Sequence, residues 1–327
     1  MKKYLSLIYL LLFGCSQTSN CWILLSTSKI TDQSTITGLV FTDRKHGLAV
    51  ADSLLETTDG GQNWIEREDE SINTFTPNGS RFYTSIVFVN QTTGWISGYQ
   101  RINNEYKPII SHTTNGGRTW EEQLTDIFPT TSEPTPILKN MCFFDTNNGW
   151  AIGSHLIINT KNGGSSWKTC YKGDSGNRFL SVACTSPEHI WVVGTNGTIL
   201  NSSNSGSTWC KQSTFTNSHL TKVKFFDSLG FVVGEKGTLL KSNDAGKTWQ
   251  QHNLNINEDL LDVYFHGEEG WVVGKNGLIL HSMDGGNHWE RHKDLTKNDI
   301  TSLFFLDSNN GWAGGSNTTI LQFSTCQ

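Results

Sequence analysis

The sequence is short of several residue types, and each shortage argues against a class of structure or function. Its 327 residues include 25 Lys and Arg against 30 Asp and Glu, for a net charge of -5, and no run of like charge stands out. A nucleic-acid-binding protein needs a basic face, so we expect no nucleic acid as a partner. Only six Pro and three Met accompany 32 Gly and 12 Trp, a composition typical of many short strands joined by tight turns.

Long apolar runs are absent after the opening segment MKKYLSLIYLLLFGC. That segment has two lysines and then an apolar run too short to span a bilayer, as in a secretory signal sequence. Its ending resembles a bacterial lipobox, in which Cys15 receives a diacylglycerol group. We expect a lipoprotein signal peptide over residues 1–14 and a lipid-anchored tether over 15–20, which would place the protein on a bacterial membrane facing the periplasm or the cell exterior. The alternative is an ordinary signal peptide.

Closely spaced cysteine pairs are absent as well. None of the seven cysteines forms a CxxC pair, which argues against a zinc site, and we predict no metal and no cofactor. An exported location permits disulfides. Cys142 and Cys184 fall in apolar strand-like segments, and we interpret them as buried free thiols.

One pattern, Ser/Thr-x-Asp/Asn-x-Gly-x-x-Trp, occurs six times with constant spacing. The copies lie at residues 57–64, 113–120, 160–167, 202–209, 242–249 and 282–289. The Asp or Asn can bond its own backbone two residues on and so close a turn, and the Gly supplies a positive φ. The Trp then begins the next strand and can be buried beneath the turn. We therefore predict structural turns rather than metal or catalytic sites.

A second repeat, of the type GWVVG, occurs seven times. Its copies lie at residues 46–50, 94–98, 149–153, 190–194, 230–234, 270–274 and 311–315. Repeat units of about 40–55 residues with four strand-like segments each are typical of propeller blades. We predict an all-β fold over residues 21–327, a seven-bladed β-propeller with four-stranded antiparallel blades.

The last repeat unit stops after its third strand, and the segment CWILLSTS at 21–28 looks like the missing fourth. With Trp22 included, seven Trp occupy equivalent places, one per unit. We predict that this N-terminal strand completes the last blade and closes the ring, which hides the sheet edges of an open array. Alignment of the last unit on residues 270–289 puts Cys21 and Cys326 at one corner, where we predict a disulfide.

The repeated turns resemble Asp-box, or bacterial-neuraminidase, repeats. The order GWVVG, then GxxGxIL, then the Asp box is further similar to the photosystem II stability and assembly factor family, over nearly all of residues 21–327. Members of that family are non-enzymatic seven-bladed propellers of the thylakoid lumen. The resemblance implies a lipid-anchored or lumenal factor without catalytic residues that docks a protein client, such as a subunit of a membrane complex, during assembly. It does not imply that the client is the photosystem.

Enzymatic alternatives lack their motifs. Sialidases share Asp boxes, but on six blades and with an Arg-Ile/Leu-Pro motif, and none of the six prolines here follows Ile or Leu. A glycosidase needs two carboxyl groups roughly 5–9.5 Å apart. The acidic candidates are Asp227, Glu235, Asp262, Glu268 and Glu269, and because several of them sit at equivalent places in successive units, we interpret them as turn residues. His281, His288 and His292 suggest a metal, but exposed polar positions on outer strands explain them better.

Breaks in the repeat mark where a partner could bind. The connections over 64–86, 120–141 and 98–110 are longer than their counterparts. Because strands alternate in direction, all three emerge on one face of blades one to three, opposite the Asp boxes, and loops on a rigid scaffold often carry recognition. The predicted binding residues are Arg81, Tyr83, Tyr99, Arg101, Tyr106, Lys107, Phe128 and Arg178. The alternative is that the long loops carry no function.

The leading hypothesis is therefore a monomeric, lipid-anchored propeller that binds a protein client. A carbohydrate-binding or glycan-hydrolysing Asp-box propeller is the alternative. A surface lipoprotein without a discrete site is the third candidate.

Overall fold

The computed structural model describes residues 20–25, 34–67, 75–76, 79–102, 105–123, 137–174, 176–214 and 216–325. These residues form short β-strands and one 3-10 turn, Lys275–Gly277. Across these ranges, no helix has both the length and the hydropathy to span a bilayer. The predicted signal peptide, Cys15, Phe128 and Cys326 lie outside the described residues.

The strands form seven antiparallel sheets, and the first strands of neighbouring sheets lie side by side around a central axis. The predicted seven-bladed β-propeller is confirmed.

Five blades are four-stranded meanders, each built from one continuous stretch of chain. In chain order these are blade 1, with β2 Gly38–Phe41, β3 Gly47–Val50, β4 Leu54–Thr57 and β5 Ile65–Glu66; blade 3, with β11 Asn140–Phe143, β12 Gly149–Ile152, β13 Leu156–Thr160 and β14 Lys168–Lys172; blade 4, with β15 Phe179–Cys184, β16 Ile190–Gly194, β17 Ile199–Ser202 and β18 Cys210–Lys211; blade 5, with β19 Leu220–Phe226, β20 Leu229–Gly234, β21 Leu239–Ser242 and β22 Gln250–His252; and blade 6, with β23 Leu260–His266, β24 Glu269–Gly274, β25 Ile279–Ser282 and β26 Glu290–Arg291.

Blade 2 departs from the four-stranded pattern. Its strands are β6 Phe75–Thr76, β7 Gly79–Phe88, β8 Gly94–Ile102, β9 Glu105–Thr113 and β10 Glu121–Glu122, in the spatial order β10-β9-β8-β7-β6. The fifth strand, β6, pairs with the start of β7. Blade 2 is thus both longer and wider than the other blades.

Blade 7 is closed by the N-terminal strand, as predicted. It consists of β27 Ile300–Asp307, β28 Asn310–Gly315, β29 Ile320–Thr325 and β1 Asn20–Leu24, and Trp22 lies opposite Phe323. Trp22 is only 5% exposed and packs edge-on against Trp271 of blade 6 and Phe305 of blade 7, with ring centroids 5.7 Å apart in each pair. Burial of one Trp removes about 150–250 Å² of surface from water, so this single side chain contributes much of the free energy that keeps the closing strand in place.

The cysteines agree with the prediction as far as the described residues reach. Cys21 is disulfide-bonded. The thiols of Cys142 and Cys184 are free, as predicted, but the two residues are half-buried rather than fully buried; Cys170 and Cys210 are also free. The proposed partner of Cys21, Cys326, lies outside the described residues, so the Cys21–Cys326 pairing stays a prediction.

Aromatic contacts join most blades to the next. The Trp or Phe of a second strand stacks on the Phe of the first strand in the following blade, as Trp95 does on Phe143, with centroids 3.5 Å apart, and Trp312 on Phe41, at 3.6 Å. The second contact crosses from blade 7 to blade 1, so it spans the point of ring closure. Cys184 occupies the equivalent place in blade 4, where a small thiol replaces the ring. The repeated GWVVG and Phe positions are therefore explained by packing.

The six repeated turns are closed by their own hydrogen bonds. In the first copy, Thr57 Oγ1 donates to Asp59 Oδ1 and accepts the N–H of Gly61, each at 2.9 Å, and Trp64 Nε1 donates to the Gly61 carbonyl. The bond from the Gly N–H to the Ser or Thr hydroxyl recurs in all five other copies, at 2.8–3.0 Å. The side chains of the pattern serve the turn, as predicted.

Candidate functional site

The two faces of the ring carry different connections. The Asp boxes contact the turns between first and second strands, as in the 2.8 Å bond from the Gly285 N–H to the Glu268 carbonyl. On the opposite face, turns between second and third strands contact the connections that lead to the next blade, as in the 2.9 Å bond from Gly237 to Glu258. The predicted division of connections between two faces is confirmed. The blade 2 insertion therefore projects from the face opposite the Asp boxes.

The insertion in blade 2 consists of strands rather than of a loop. β8 and β9 remain paired as far as Ile102 and Glu105, and β7 pairs with β8 from Ser80 and Arg101 inward. We call residues 80–83, 98–102 and 105–108 the blade 2 extension. Its side chains are placed by strand geometry, so successive residues point to opposite faces and directly paired residues share a face.

This geometry divides the predicted binding residues between two surfaces. One surface carries Phe82, Tyr99, Arg101, Tyr106 and Pro108. The other carries Arg81, Tyr83, Gln100 and Lys107. The prediction placed six of these residues in loops, where no such division could be foreseen: Arg81, Tyr83, Tyr99, Arg101, Tyr106 and Lys107.

The first surface presents a row of aromatic rings. Phe82 stacks on Tyr99 with centroids 5.1 Å apart, and Tyr106 meets Tyr99 edge-on at 5.4 Å. Tyr106 is 42% exposed, while Phe82 and Tyr99 are half-buried. Burial, and then the neighbouring Tyr106 and Asp52, raise the pKa of Tyr99 above its usual 10.0, although Arg101 opposes them. Tyr99 therefore stays neutral and can donate a hydrogen bond at any physiological pH.

Phe82 belongs to this row but was missed by sequence reasoning. The signal was the order Arg81-Phe82-Tyr83, which alternates along a strand. Recognition of residues 79–88 as a strand would have placed Phe82 beside Tyr99 and moved Tyr83 to the other surface.

Two residues of the second surface have structural roles instead of the predicted one. Tyr83 is 3% exposed and packs with Val40 and Ile109 in the core between blades 1 and 2. The Arg81 guanidinium forms a 2.8 Å ion pair with Glu122 of β10, and its side chain is 13% exposed. Tyr83 and Arg81 are therefore corrected from surface contacts to packing residues of blade 2. Lys107 is exposed.

Arg178 lies in the connection from blade 3 to blade 4, on the same face as the extension. Its N–H donates to Thr195 Oγ1 and its carbonyl accepts the Thr195 N–H, each at 2.9 Å, while the residue as a whole is exposed. The backbone is therefore held while the guanidinium faces solvent. Burial, and then the positive charge of Arg178, lower the pKa of Lys139. Lys139, which the sequence did not single out, thus adds a second cation beside Arg178.

The residues considered for metal or acid–base chemistry have ordinary structural partners. His281 stacks on Trp271 with centroids 3.8 Å apart, and its Nε2 lies 3.0 Å from Glu269 Oε1. His281 is therefore a packed residue, not the exposed one expected. The exposed His288 bonds Asp284 of its own Asp box at 2.5 Å. Within the described part of the chain, no group of three His, Cys, Asp or Glu could hold a metal ion.

Four overlapping segments, 16–134, 128–213, 169–241 and 212–298, match the family model described as photosynthesis system II assembly factor YCF48. The chain belongs to this family. The resemblance inferred from the GWVVG and Asp-box repeats is thereby confirmed. The match includes β1 and the blade 2 extension, and it ends before β27.

One relative aligns with less than half of this chain. The photosystem II assembly lipoprotein Ycf48 of Synechococcus sp. (strain CC9902) is 33% identical over 141 residues, which are 42% of this chain and 37% of that protein. The aligned part thus spans little more than a third of that relative.

Solved structures share the propeller fold at lower identity. A structure of YCF48 bound to D1 peptide is 22% identical, with a TM-score of 0.72 over 94% of this chain and 95% of that one. A GH74 enzyme of Niastella koreensis is 16% identical, with a TM-score of 0.69 over 88% of this chain and 52% of that one. Likeness at these identities shows the fold alone, which assembly factors and enzymes share.

Proposed function

We propose that this YCF48-family propeller is a non-enzymatic assembly factor that binds a protein client through the first surface of the blade 2 extension. The observation that carries the proposal is the row of Phe82, Tyr99 and Tyr106, partly exposed on a hairpin that extends from a rigid ring. Tyr offers a large contact area at a small cost in conformational entropy, which is why it is common at the centre of protein interfaces.

Charge on the same face adds selectivity. Arg101 lies opposite Tyr106 in the strand register, and Arg178 and Lys139 form a second basic spot on the neighbouring blades. The chain as a whole carries a net charge of -5, so these cations stand out from an acidic background. We infer a client segment that combines apolar or aromatic side chains with carboxylates, because such a segment would match both the aromatic row and the cations.

The family comparison supports a protein client of this kind. A related YCF48 was solved with a D1 peptide, and a peptide is a ligand that an extended aromatic row can accept. For this chain we infer a client among the subunits of a membrane complex. Phe128 also belongs to the proposed binding set, and it lies outside the described residues.

We also propose that Cys15 carries a lipid anchor which holds the propeller on a bacterial membrane, facing the periplasm or the exterior. The name of the Synechococcus relative, a lipoprotein, supports this. Cys15→Ser should move the protein from the membrane fraction to the soluble fraction of the cells. Retention of Cys15→Ser in the membrane would contradict the anchor.

Client capture from native membranes tests the binding surface. The baits are full-length chains: the wild type, the double variant Tyr99→Ala, Tyr106→Ala, and the single variant Arg101→Ala. Quantitative mass spectrometry measures the proteins that each bait recovers. We expect at least one membrane protein that the wild type recovers to be depleted about tenfold or more by the double variant. Met283→Ala is the matched control, because Met283 is exposed but lies in an Asp box on the opposite face. Equal recovery by the double variant and the control would remove the proposed surface.

A carbohydrate ligand is the second candidate, because the same aromatic row could stack on sugar rings. Treatment of the membranes with protease before capture separates the two functions. A protein client is lost after digestion, whereas a glycan is still recovered by the wild type and depleted by the Tyr99→Ala, Tyr106→Ala variant.

A further inference from the structure

The first strands of the blades enclose a central cavity of about 550 Å³. A ring of residues, one from each blade, surrounds this cavity. Each of them lies three positions before the Phe or Cys that packs between blades. The members of this tunnel ring are Gly38, Ser85, Asn140, Ser181, Lys222, Asp262 and Ser302. Six of the seven are polar, although they lie at the centre of the fold.

Several of these polar groups hold neighbouring blades together. Asn140 Oδ1 accepts the Val182 N–H of the next blade at 3.1 Å, and Ser181 Oγ accepts the Val223 N–H at 3.3 Å. Asp262 Oδ2 likewise accepts the Leu303 N–H at 2.8 Å. These contacts between blades account for the polar residues at three positions of the ring, so no ligand is needed to explain them.

Lys222 is different. In the described part of the chain, no hydrogen bond or ion pair joins its ammonium group to another residue, although Asp262 lies near enough to affect its pKa. The Asp262 carboxylate already has three other partners. It forms an ion pair with Lys224 Nζ and accepts hydrogen bonds from the Val263 and Leu303 N–H groups, each at 2.8 Å. Its side chain is 2% exposed. The nearest carboxylate is therefore bonded to other donors.

The cavity wall consequently has an excess of positive charge. Lys222 and Lys224 face one buried carboxylate, that of Asp262, while the other acidic lining residue, Asp227, is exposed in the turn after β19. Burial, and then Lys224, lower the pKa of Lys222 below its ordinary value of 10.5, although Asp262 opposes them. Lys222 is half-buried, and a charge withdrawn from water is costly unless a partner neutralises it.

We propose that the central cavity binds a small carboxylate with a short apolar chain, held through its charge by the Lys222 ammonium. The carboxylate would balance the excess charge through a charge-assisted hydrogen bond. The apolar part would contact the aliphatic lining of the cavity, which includes Val40, Ile86 and Met141. A volume of this size is ordinary for a small-molecule site. The site lies on the ring axis and is independent of the client surface proposed above.

Calorimetric titration with sodium butyrate, at an ionic strength matched with sodium chloride, tests the proposal on the full chain. We expect saturable binding to the wild type and at least a tenfold weaker affinity for Lys222→Met. Lys247→Met is the matched control, because Lys247 is an exposed lysine in the Asp box of the same blade, and it should bind butyrate like the wild type. Unchanged affinity in Lys222→Met, or no saturable binding to the wild type, would overturn the proposal.

A second comparison needs no variant and therefore does not depend on folding. Butyramide has the same apolar chain as butyrate but no charge, so the wild type should bind it at least tenfold more weakly. Equal binding of butyramide and butyrate would show that the Lys222 charge has no part in recognition. Lys222→Arg, which keeps the charge, should retain butyrate binding to within about threefold, and a loss as large as that of Lys222→Met would contradict the proposed role.

Discussion

Blades 2 and 5 derive from the same repeat, yet only one of them extends beyond the ring. In blade 5 the second and third strands are joined by a tight turn at residues 235–238, which contacts the following connection. In blade 2 the corresponding strands continue to Ile102 and Glu105 and expose an aromatic row. The difference shows that a blade can gain an extended hairpin at its end while its inner part stays unchanged.

The shared inner part is visible in a bulge of the first strand. The register shifts between Tyr83 and Ser85 in blade 2, and between Leu220 and Lys222 in blade 5. The bulged Thr84 and Thr221 hydroxyls each lie within hydrogen-bond distance of two carbonyls, one in their own second strand and one at the start of the next blade. The extension therefore begins only after the contacts that join blades have been made.

The largest effect is expected where the ring is closed. Trp22→Ala should lower the free energy of unfolding by about 3–5 kcal/mol, because it empties a buried site between blades 6 and 7. Urea denaturation measures this change. Ile23→Ala, on the same strand but 43% exposed, is the control and should cost less than about 1 kcal/mol. A small effect of Trp22→Ala would mean that closure depends on the disulfide of Cys21 instead.

The next effect tests whether blades 2 and 5 keep the same inner geometry. A Cβ at Gly98 would overlap the Phe82 carbonyl, and a Cβ at Gly234 would overlap the His219 carbonyl. Gly98→Ala and Gly234→Ala should each cost about 1–3 kcal/mol in a urea titration.

Gly285→Ala is the control for these two glycines. Its Cβ would meet open space, and Ala245 occupies the equivalent Asp-box position with φ 57°. We expect it to cost less than either of them. If Gly98→Ala were harmless and Gly234→Ala were not, the two blades would differ in their inner parts after all.

The turns that contain Asp should lose stability in acid, whereas those that contain Asn in its place should not. Hydrogen bonds from the Thr248 N–H and hydroxyl lower the pKa of Asp244 to about 2 from its ordinary 3.8. The carboxylate therefore stabilises the fold above pH 3.8, and this contribution is lost as the pH falls towards 2. Asp244→Asn should make the urea midpoint less sensitive to pH between 4 and 2. Asn115, Asn162 and Asn204 show that the turn accepts Asn. An unchanged pH profile would mean that Asp244 contributes nothing to acid stability.

The smallest effect is expected at the tip of the extension. Tyr106→Ala should change the unfolding free energy by no more than about 0.5 kcal/mol, because the ring is 42% exposed. Tyr83→Ala, on the other surface of the same hairpin, should cost at least about 2 kcal/mol, because Tyr83 is part of the core. Similar costs for the two variants would contradict the division of the extension into two surfaces.

Much of the fold was predictable because its causes are local and repeated. The Asp boxes close through bonds within eight residues, and the Trp and Phe positions recur at the same spacing in successive blades. The candidate site was predicted less well. Its blade and face followed from strand direction, but Arg81 and Tyr83 were assigned to a loop surface and Phe82 was overlooked. A hairpin that occurs once offers no repeat against which its register can be read.

By itself, the sequence determined the number of blades, the use of Trp22 to complete the last one, and the face that carries the insertion. These features follow from periodic hydrogen bonding and from burial of aromatic rings, which act over short stretches of chain. Only the tertiary structure decided which extension residues share a surface and that, among the described residues, none forms an ion pair with Lys222 in the central cavity. Both depend on distances between strands that are remote in sequence, where one step in register exchanges a buried side chain for an exposed one.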